Sequence, residues 1–226
     1  MKKPIFYTEL AYLLGILFLA LGASLMTRAD FGLSMVIAPA YLLHLKISGI
    51  LPFFSFGMAE YTLQAILLLA MIIILRKFKI TYLFSFATAV LYGFALDAFL
   101  MITTFIPYNL LPVRIILFVI GLIATSLGVS LIFHTYISPE VYELFVKELS
   151  EKFKIDLYKV KTAYDCASCA IAIIMSFAFF GLWQFEGVKF GTIICALING
   201  FLIGKISLLL EKIWDFKDKF SLRKYF

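Results

Sequence analysis

The sequence predicts an all-α integral membrane protein whose six transmembrane helices form a 3+3 inverted repeat. The first observation is composition: of 226 residues, 63% are hydrophobic and only 15% are charged, whereas a soluble domain carries about 25% charged residues. The second is that six apolar segments reach the length of about 20 residues that a bilayer requires. The third is a block of sequence from the first half that returns in the second half. Together they indicate that lipid is the solvent of this chain.

The repeat is carried by short motifs that return in the same order. Residues 21–25 (LGASL) return as residues 127–131 (LGVSL), and residues 89–94 (AVLYGF) return as residues 196–201 (ALINGF). One such match in an apolar chain is unremarkable, but several matches in one order indicate a duplication. Duplicated units of opposite orientation are a common plan of membrane transporters.

The spans follow in order from the apolar runs. The start of the chain, with Lys2 and Lys3 before an apolar run, has to be distinguished from a signal peptide. That run continues to Met26 without a small-x-small cleavage site followed by polar sequence, so we interpret it as a retained first span. The six spans are predicted near residues 9–27, 57–75, 80–105, 113–133, 162–183 and 188–211.

A shorter helix is predicted after the first span of each repeat. The helix near residues 34–46 is apolar, and its placement as a re-entrant or an interfacial helix stays open. The helix near residues 139–153 has one apolar face and a charged remainder, which is typical of a helix on a membrane surface. Ser138 and Pro139 suit the N-cap and the first helical position, and Ser34 occupies the matching place in the first repeat.

Basic residues predict the orientation. Only Lys46, Arg114 and Lys189 fall in outer segments, whereas most of the 20 Lys and Arg residues fall in segments that would be inside if the N-terminus is inside. This positive-inside bias predicts that both termini are cytoplasmic. Three spans per repeat is an odd number, so the second repeat is expected to be inverted. The predicted units are a first repeat over 1–110, a second over 111–213 and a basic cytoplasmic tail over 214–226.

Ionisable residues at or within spans are costly and therefore informative. An outer trio near one membrane edge consists of Arg28, Glu60 and Asp97. An inner trio near the other edge consists of His134, Asp165 and Lys205. We expect the basic members of each trio to pair with its carboxylates, as two gates whose ion pairs form and break in alternation, with Glu60 or Asp165 as candidates for proton coupling. The alternative is that these residues reach water at the interface, or lock helices together as static pairs.

The predicted midplane carries fewer polar groups. Tyr92-Gly93 and Asn199-Gly200 fall near the centres of the third and sixth spans, and Gln64 lies one turn deeper than the outer carboxylate. Their hydrogen-bonding groups, with glycines that permit close helix approach, predict a small-molecule site between the repeats. The alternative is interhelical hydrogen bonding that only holds the bundle together.

Redox, metal and cofactor chemistry has little support. Cys166 and Cys169 have CxxC spacing, but they lie in an apolar span, where small residues for helix packing are the simpler interpretation. The sequence has no Gly-rich phosphate loop, nucleophile elbow or HExxH motif. We therefore expect no metal, no cofactor and no enzymatic activity, with an intramembrane redox or metal-dependent enzyme as the least favoured hypothesis.

One resemblance accompanies these patterns. Residues 28–34 (RADFGLS), following Leu21-Gly22, resemble the opening signature of the YczE/YitT-type bacterial multi-pass membrane proteins, and residues 86–99 resemble that family's pattern at the end of the third span. The resemblance covers most of the chain. It implies a multi-pass protein of the bacterial inner membrane, and it supplies no substrate.

The leading functional hypothesis is transport of an unidentified small solute by alternating access between the repeats. The second is a non-transporting membrane scaffold that docks another protein through its charged cytoplasmic segment and tail. The net charge of +6 is explained by cytoplasmic loops, so no nucleic-acid partner is expected. The expected partners are the bilayer and the solute, and the oligomeric state stays open, a homo-oligomer included.

Overall fold

The computed structural model describes residues 3–107, 110–221 and 223. Its helices are α1 (Thr8–Ala29), α2 (Ala38–Ser48), α3 (Phe56–Leu75), α4 (Thr81–Thr103), α5 (Leu111–Phe133), α6 (Val141–Phe153), α7 (Leu157–Phe180) and α8 (Phe190–Ile213). Two short strands, β1 (Ile5–Tyr7) and β2 (Asp215–Lys217), flank them.

Six of these helices are long and apolar enough to cross a membrane: α1, α3, α4, α5, α7 and α8. Large apolar side chains cover their outer surface, as at Ile73, Phe94 and Phe201, which are each more than 60% exposed. Apolar exposure on this scale is unfavourable in water and natural in lipid. The predicted class, an all-α multi-pass membrane protein with six spans, is confirmed.

The two strands bring both ends of the described chain to one end of the bundle. β1 pairs with β2 in parallel, with Ile5 opposite Asp215 and Tyr7 opposite Lys217. We call this end the terminal face and the opposite end the distal face. Because successive spans alternate in direction, α1, α4 and α7 run from the terminal to the distal face, and α3, α5 and α8 run back.

The centre of the bundle is the antiparallel crossing of α1 and α5, where glycines let the two backbones touch. A Cβ atom on Gly15 would lie 3.0 Å from the carbonyl oxygen of Gly128. A Cβ atom on Gly22 would lie 2.6 Å from the carbonyl oxygen of Gly121. Small residues permit this approach in membrane helix pairs. The remaining spans pack around the crossing, α4 on α1 and α8 on α5.

The helices α2 and α6 begin inside the bundle and end at opposite faces. α2 packs against α3 and α7 and ends at the distal face, where the Lys46 ammonium donates to the carbonyl oxygen of Phe179 at 3.2 Å. α6 also packs against α3 and α7 and ends at the terminal face, where Glu148 forms an ion pair with Lys79 of the α3–α4 connection.

The structure corrects two expectations about these short helices. α6 does not lie on the membrane surface, because its first turns are buried, from Val141 to Leu144. Its N-cap is Glu140 rather than Ser138, and α2 begins at Ala38, beyond Ser34. The first turns of α6 are buried because their acidic groups find hydrogen-bonding and charged partners on α3 and α7, which the pattern of α6 alone does not show.

Candidate functional site

A group of ionisable side chains is buried where α3, the start of α6 and α7 meet. We call it the buried charge cluster, and it consists of Glu60, Glu140, Glu143, Lys161 and Asp165. Each of these residues is at most 3% exposed. Charges are costly to bury unless they are paired and hydrogen-bonded, so the partners of each member decide what the cluster can do.

Lys161 is the one cation of the buried charge cluster. Its ammonium lies 3.0 Å from Oδ1 of Asp165, one turn further along α7, and 3.2 Å from Oε1 of Glu143 on α6. The single ammonium of Lys161 therefore compensates two carboxylates and links α6 to α7.

Gln64 holds the start of α6 against α3. Its amide nitrogen donates to Oε2 of Glu140 at 2.9 Å, and its amide oxygen accepts the backbone N–H of Val141 at 3.0 Å. Both the nitrogen and the oxygen of the Gln64 amide form hydrogen bonds, so the orientation of the amide is fixed. These two bonds explain how a helix start with an acidic N-cap is accommodated inside the bundle.

Several polar atoms of this region lack a hydrogen-bond partner among the described residues. The Tyr142 hydroxyl donates to Oε2 of Glu60 at 3.2 Å, but Oε1 of Glu60 has no partner there. The same holds for Oε1 of Glu140, for Oδ2 of Asp165 and for the hydroxyl of Tyr92. Buried polar atoms are normally satisfied, so these atoms indicate where water, a proton or a ligand belongs.

A central cavity lies beside the buried charge cluster. Its volume is about 20 Å³, which suits one water or little more. Its polar lining residues include Tyr92, Glu140, Tyr142, Glu143, Lys161 and Asn199. Its apolar lining residues are Leu19, Ala23, Val36, Ile37 and Val129. The segments that precede α2 and α6 both reach this cavity, although they enter the bundle from opposite faces.

The structure brings together three of the predicted midplane residues. Tyr92 and Asn199 line the central cavity, and Asn199 accepts a hydrogen bond from Ser126 at 2.9 Å. Gln64 lies next to them through its bond to Glu140. Their predicted role as a substrate site stays a prediction, but the proximity on which it depends is present.

The two predicted midplane glycines lie in helix contacts. A Cβ atom on Gly93 of α4 would lie 2.9 Å from the carbonyl oxygen of Gly57 on α3. A Cβ atom on Gly200 of α8 would lie 2.9 Å from the carbonyl oxygen of Tyr158 on α7. These positions set the spacing of neighbouring spans, and neither residue lines the central cavity.

The predicted outer trio does not form one cluster. The Arg28 guanidinium donates to the carbonyl oxygens of Thr104 and Ile106, at 2.7 and 3.0 Å. Asp97 accepts the Ser55 hydroxyl at 2.6 Å and the Gly57 backbone N–H at 2.9 Å, so it stabilises the start of α3. Glu60 lies instead in the buried charge cluster, and its predicted role in an outer gate stays untested.

The predicted inner trio is also divided. His134 pairs with Glu211 at 3.1 Å and stacks on Phe216 with ring centroids 4.4 Å apart. The ammonium of Lys205 lies over the ring of Phe201. Asp165 pairs with Lys161 rather than with either predicted cation, because α7 itself carries a lysine one turn earlier. Glu60 and Asp165, predicted near opposite edges, therefore belong to one buried cluster.

Lys161, Glu140 and Glu143 are functional candidates that the sequence reasoning did not select. Lys161 lies near the start of a span, where a basic residue is typical of the membrane edge. The spacing of Lys161 and Asp165, four residues apart on a helix, was the available signal. The insertion of α6, which brings Glu140 and Glu143 to Lys161, leaves no comparable signal in the sequence.

Ion pairs and backbone contacts close the distal face. Asp30, just after α1, pairs with Arg114 of α5 at 3.1 Å and with Lys189 before α8 at 2.5 Å. Nearby, the Leu33 backbone N–H donates to the carbonyl oxygen of Gly187 at 3.1 Å. These contacts join the connection before α2 to the connection before α8.

A second set of contacts, which we call the terminal latch, closes the terminal face. Glu9 of α1 accepts the backbone N–H groups of Lys219 and Phe220, at 3.0 and 2.9 Å, and the hydroxyl of Tyr136 at 2.9 Å. Desolvation and the neighbouring Glu9 carboxylate raise the pKa of Tyr136 to about 12, so this hydroxyl remains a donor at physiological pH.

Two grooves lie at opposite faces of the bundle, and each includes a residue that is next in sequence to one of the central cavity. The terminal groove, of about 500 Å³, is lined by Lys79, Lys147 and Glu148 and by Ser138 and Pro139, which directly precede Glu140. The distal groove, of about 330 Å³, is lined by Arg28, Asp30, Thr27, Thr103 and by Ser24, which directly follows Ala23 of the cavity wall.

Cysteine and metal chemistry have no visible centre in the part of the chain that the structure describes. Cys166, Cys169 and Cys195 are free thiols. No group of three or more His, Cys, Asp or Glu side chains is arranged to hold a metal ion within residues 3–107, 110–221 and 223.

Six apolar spans around a buried cluster of charged residues define a multi-pass helical membrane protein with a polar centre. The chain belongs to a family of proteins of unknown function (DUF6198), which it matches over residues 6–207. No curated protein and no solved structure matches it.

Proposed function

We propose that the protein transports a small solute by alternating access between two inverted repeats, in the inner membrane of a bacterium and within the YczE/YitT-type group that its motifs resemble. The observation that carries this proposal is a central cavity beside unpartnered polar atoms, together with one groove at each face of the bundle.

The buried charge cluster supports a transported ligand over a static scaffold. Replacing a buried ion pair by apolar residues of similar volume is often neutral or stabilising, so charge at the centre of a membrane bundle is rarely retained for stability. Intramembrane carboxylates and lysines instead mark pathways for solutes and protons. A dry, tightly packed midplane, which a scaffold requires, would leave no place for the unpartnered oxygens of Glu60 and Glu140.

The two grooves support alternating exposure of one site. The terminal groove reaches Pro139, next to Glu140 of the cavity wall. The distal groove reaches Ser24, next in sequence to Ala23 of the cavity lining. Small movements of the segments before α2 and α6 would connect the cavity to one groove at a time, as alternating access requires.

The α1–α5 crossing supports the proposed inverted repeat. The repeated motifs make Gly15 equivalent to Gly121 and Gly22 equivalent to Gly128. In the structure Gly15 contacts Gly128 and Gly22 contacts Gly121, which is the reciprocal pattern expected of a two-fold axis. The packing partners repeat as well, since α2 and α6 each contact both α3 and α7.

Cysteine labelling from the two faces tests the proposal without a known solute. Val129, on the α5 side of the central cavity, is replaced by Cys in a background with Ser at positions 166, 169 and 195. Inside-out and right-side-out vesicles are treated with a membrane-impermeant cationic thiosulfonate. We expect Val129→Cys to be labelled from both sides, because the cavity opens to each face in turn.

The control is Ile123→Cys on the same helix, where the native side chain is exposed on the outer surface of the bundle. A thiol there faces lipid, so it should resist the reagent from either side. If Val129→Cys is labelled from one side only, or is as inert as Ile123→Cys, the alternating-access function is wrong.

A further inference from the structure

We propose that Glu60 and Glu140 form a proton-binding site, and that the two protons they bind keep the start of α6 inside the bundle. The site extends the expectation of proton coupling from Glu60 to Glu140 and leaves Asp165 out of it. The use of these protons to drive a solute rests on the transport function proposed above, whereas the proton-binding site does not. The carrying observation is that both carboxyl groups are buried, accept hydrogen bonds from neutral groups and keep one oxygen each without a partner among the described residues.

The charge balance of the buried charge cluster favours protons on these two groups. Lys161 is the cation of the cluster, and its ammonium contacts Glu143 and Asp165 at 3.2 and 3.0 Å. No cation contacts the carboxyl groups of Glu60 and Glu140 in the part of the chain that the structure describes. Two further carboxylates beside a shared ammonium would leave negative charge uncompensated away from water, which is costly. We therefore expect each of the two groups to carry a proton.

The hydrogen bonds of both groups suit a neutral carboxyl group. Oε2 of Glu140 accepts the Gln64 amide at 2.9 Å, and Oε2 of Glu60 accepts the Tyr142 hydroxyl at 3.2 Å. A protonated acid can accept on one oxygen and carry its proton on the other, and Oε1 is the atom without a partner in each group. Glu140 also lines the central cavity, where one water, an acceptor for such a proton, has room.

The surroundings of Glu140 oppose its negative charge. Burial and the nearby carboxyl groups of Glu143 and Glu60 raise the pKa of Glu140 well above its usual value, and Lys161 lowers it by less. The dipole of α6 favours negative charge at the helix start, but this effect is smaller than the cost of burying an unpaired charge. The titratable and charged groups that face Glu140 are Tyr12 of α1, Glu60 of α3, Tyr92 of α4, Tyr142 and Glu143 of α6 and Lys161 of α7.

Both proton-binding groups also secure the start of α6. Glu140 is the N-cap of this helix, and Tyr142, two residues later, donates to Glu60. When the two groups lose their protons, the helix start lies among negative charges that only water can compensate. The chain before Glu140 comes from the terminal face, so the helix start is released towards the terminal groove, and the protons pass to the water there.

The direction of the pH dependence follows from the protons bound in each form. The seated form, with the start of α6 inside the bundle, binds two protons. The released form binds none at neutral pH, because a glutamic acid in water ionises near pH ~4.3. Raising the pH therefore favours release, by about tenfold per pH unit for each proton. Seating is retained at low pH and is lost as the pH rises.

Hydrogen exchange at the Val141 amide measures the release. This N–H lies in the first turn of α6, where no intrahelical acceptor exists, and it donates to Oε1 of Gln64 at 3.0 Å. Exchange is followed in the purified full-length protein in phospholipid nanodiscs, from about pH 6 to about pH 8. Division by the rates of an unstructured peptide removes the intrinsic effect of pH on exchange. We expect the protection of Val141 to fall about hundredfold per pH unit, because two protons are released.

Variants assign the protons to the two residues. Glu60→Gln and Glu140→Gln each resemble the protonated acid, so each should reduce the dependence to about tenfold per pH unit, and the double variant should abolish it. Glu211→Gln is the matched control, because it removes an exposed carboxylate of the terminal face that pairs with His134. It should keep the full dependence. A melting transition shows that each variant folds.

Four results would overturn the inference. They are protection of Val141 that does not change with pH, a full dependence in both single variants, protection restored at high pH by sodium chloride, and equally fast exchange of Val141 and the amides of α1. The third would mean that a metal cation is bound, and the fourth that the whole bundle unfolds.

The labelling experiment separates failure of this inference from failure of transport. If Val129→Cys is labelled from both faces but the protection of Val141 ignores pH, transport stands and the proton-binding site is wrong. If the pH dependence and its loss in the variants are found but labelling fails, the proton-binding site stands and transport is wrong.

Discussion

Gly22 of α1 and Gly121 of α5 contact each other backbone to backbone, so closely that a Cβ atom on Gly22 would lie 2.6 Å from the carbonyl oxygen of Gly121. The contact lies at the centre of the bundle, and Ala23 beside it lines the central cavity. The spacing of α1 and α5 therefore also sets the position of Ala23 in the cavity lining.

Gly22→Ala should destabilise the fold. The added methyl group would lie 2.6 Å from the carbonyl oxygen of Gly121 and from the backbone nitrogen of Thr125, so α1 and α5 must separate, at a cost of about 1–3 kcal/mol. Thermal unfolding in detergent measures the change. Gly49→Ala is the control, because its nearest neighbour would be 3.8 Å away, and its melting temperature should stay unchanged. Equal melting temperatures for the two variants would contradict the described crossing.

Lys161→Met should be strongly destabilising. It removes the only ammonium among the described residues that contacts Glu143 and Asp165, and breaking a buried pair typically costs about 3–5 kcal/mol. Unfolding in detergent measures the loss. Lys159→Met, two residues earlier and exposed, serves as the control and should be nearly neutral. Adding Glu143→Gln and Asp165→Asn to Lys161→Met should restore part of the stability, and a triple variant weaker than the single one would contradict the charge argument.

Asp30→Asn should open the distal face more often. It weakens the ion pairs with Arg114 and Lys189, and exposed pairs are worth about 0.2–1 kcal/mol. Labelling of Val129→Cys from the distal side should therefore become up to about fivefold faster, while labelling from the terminal side should not. The ratio of the two rates is the measurement, and an equal increase on both sides would show that Asp30 does not act on the distal face alone.

Glu9→Ala should release the terminal latch. The backbone N–H groups of Lys219 and Phe220 then lose their acceptor, so the chain after α8 detaches more readily. Limited trypsin digestion should cleave after Lys217 and Lys219 faster than in the unaltered protein. Cleavage in the α3–α4 connection, at Arg76, is the internal control and should be unaffected.

The class of fold was predictable because the composition of the chain and the lengths of its apolar segments can be read directly from the sequence. The spans at 57–75 and 113–133 match α3 and α5 to within two residues. They could be predicted because a segment that crosses the hydrocarbon region must be a long apolar helix. The same counting of depth placed Tyr92 and Asn199 at a similar level, and in the structure both line the central cavity. The partners of Glu60 and Asp165 were not predictable in this way, because counting along each span says nothing about what inserts between spans.

The sequence by itself determined the solvent, the number of spans and the repeated glycines, because each depends on residues close together in the chain or on their recurrence. Only the tertiary structure decided that α6 starts inside the bundle, where Glu140 and Glu143 meet Gln64 and Lys161. A charged helix start can be buried only when partners from other helices compensate it. Those partners come from distant parts of the chain, so packing and not local pattern brought the buried charge cluster together.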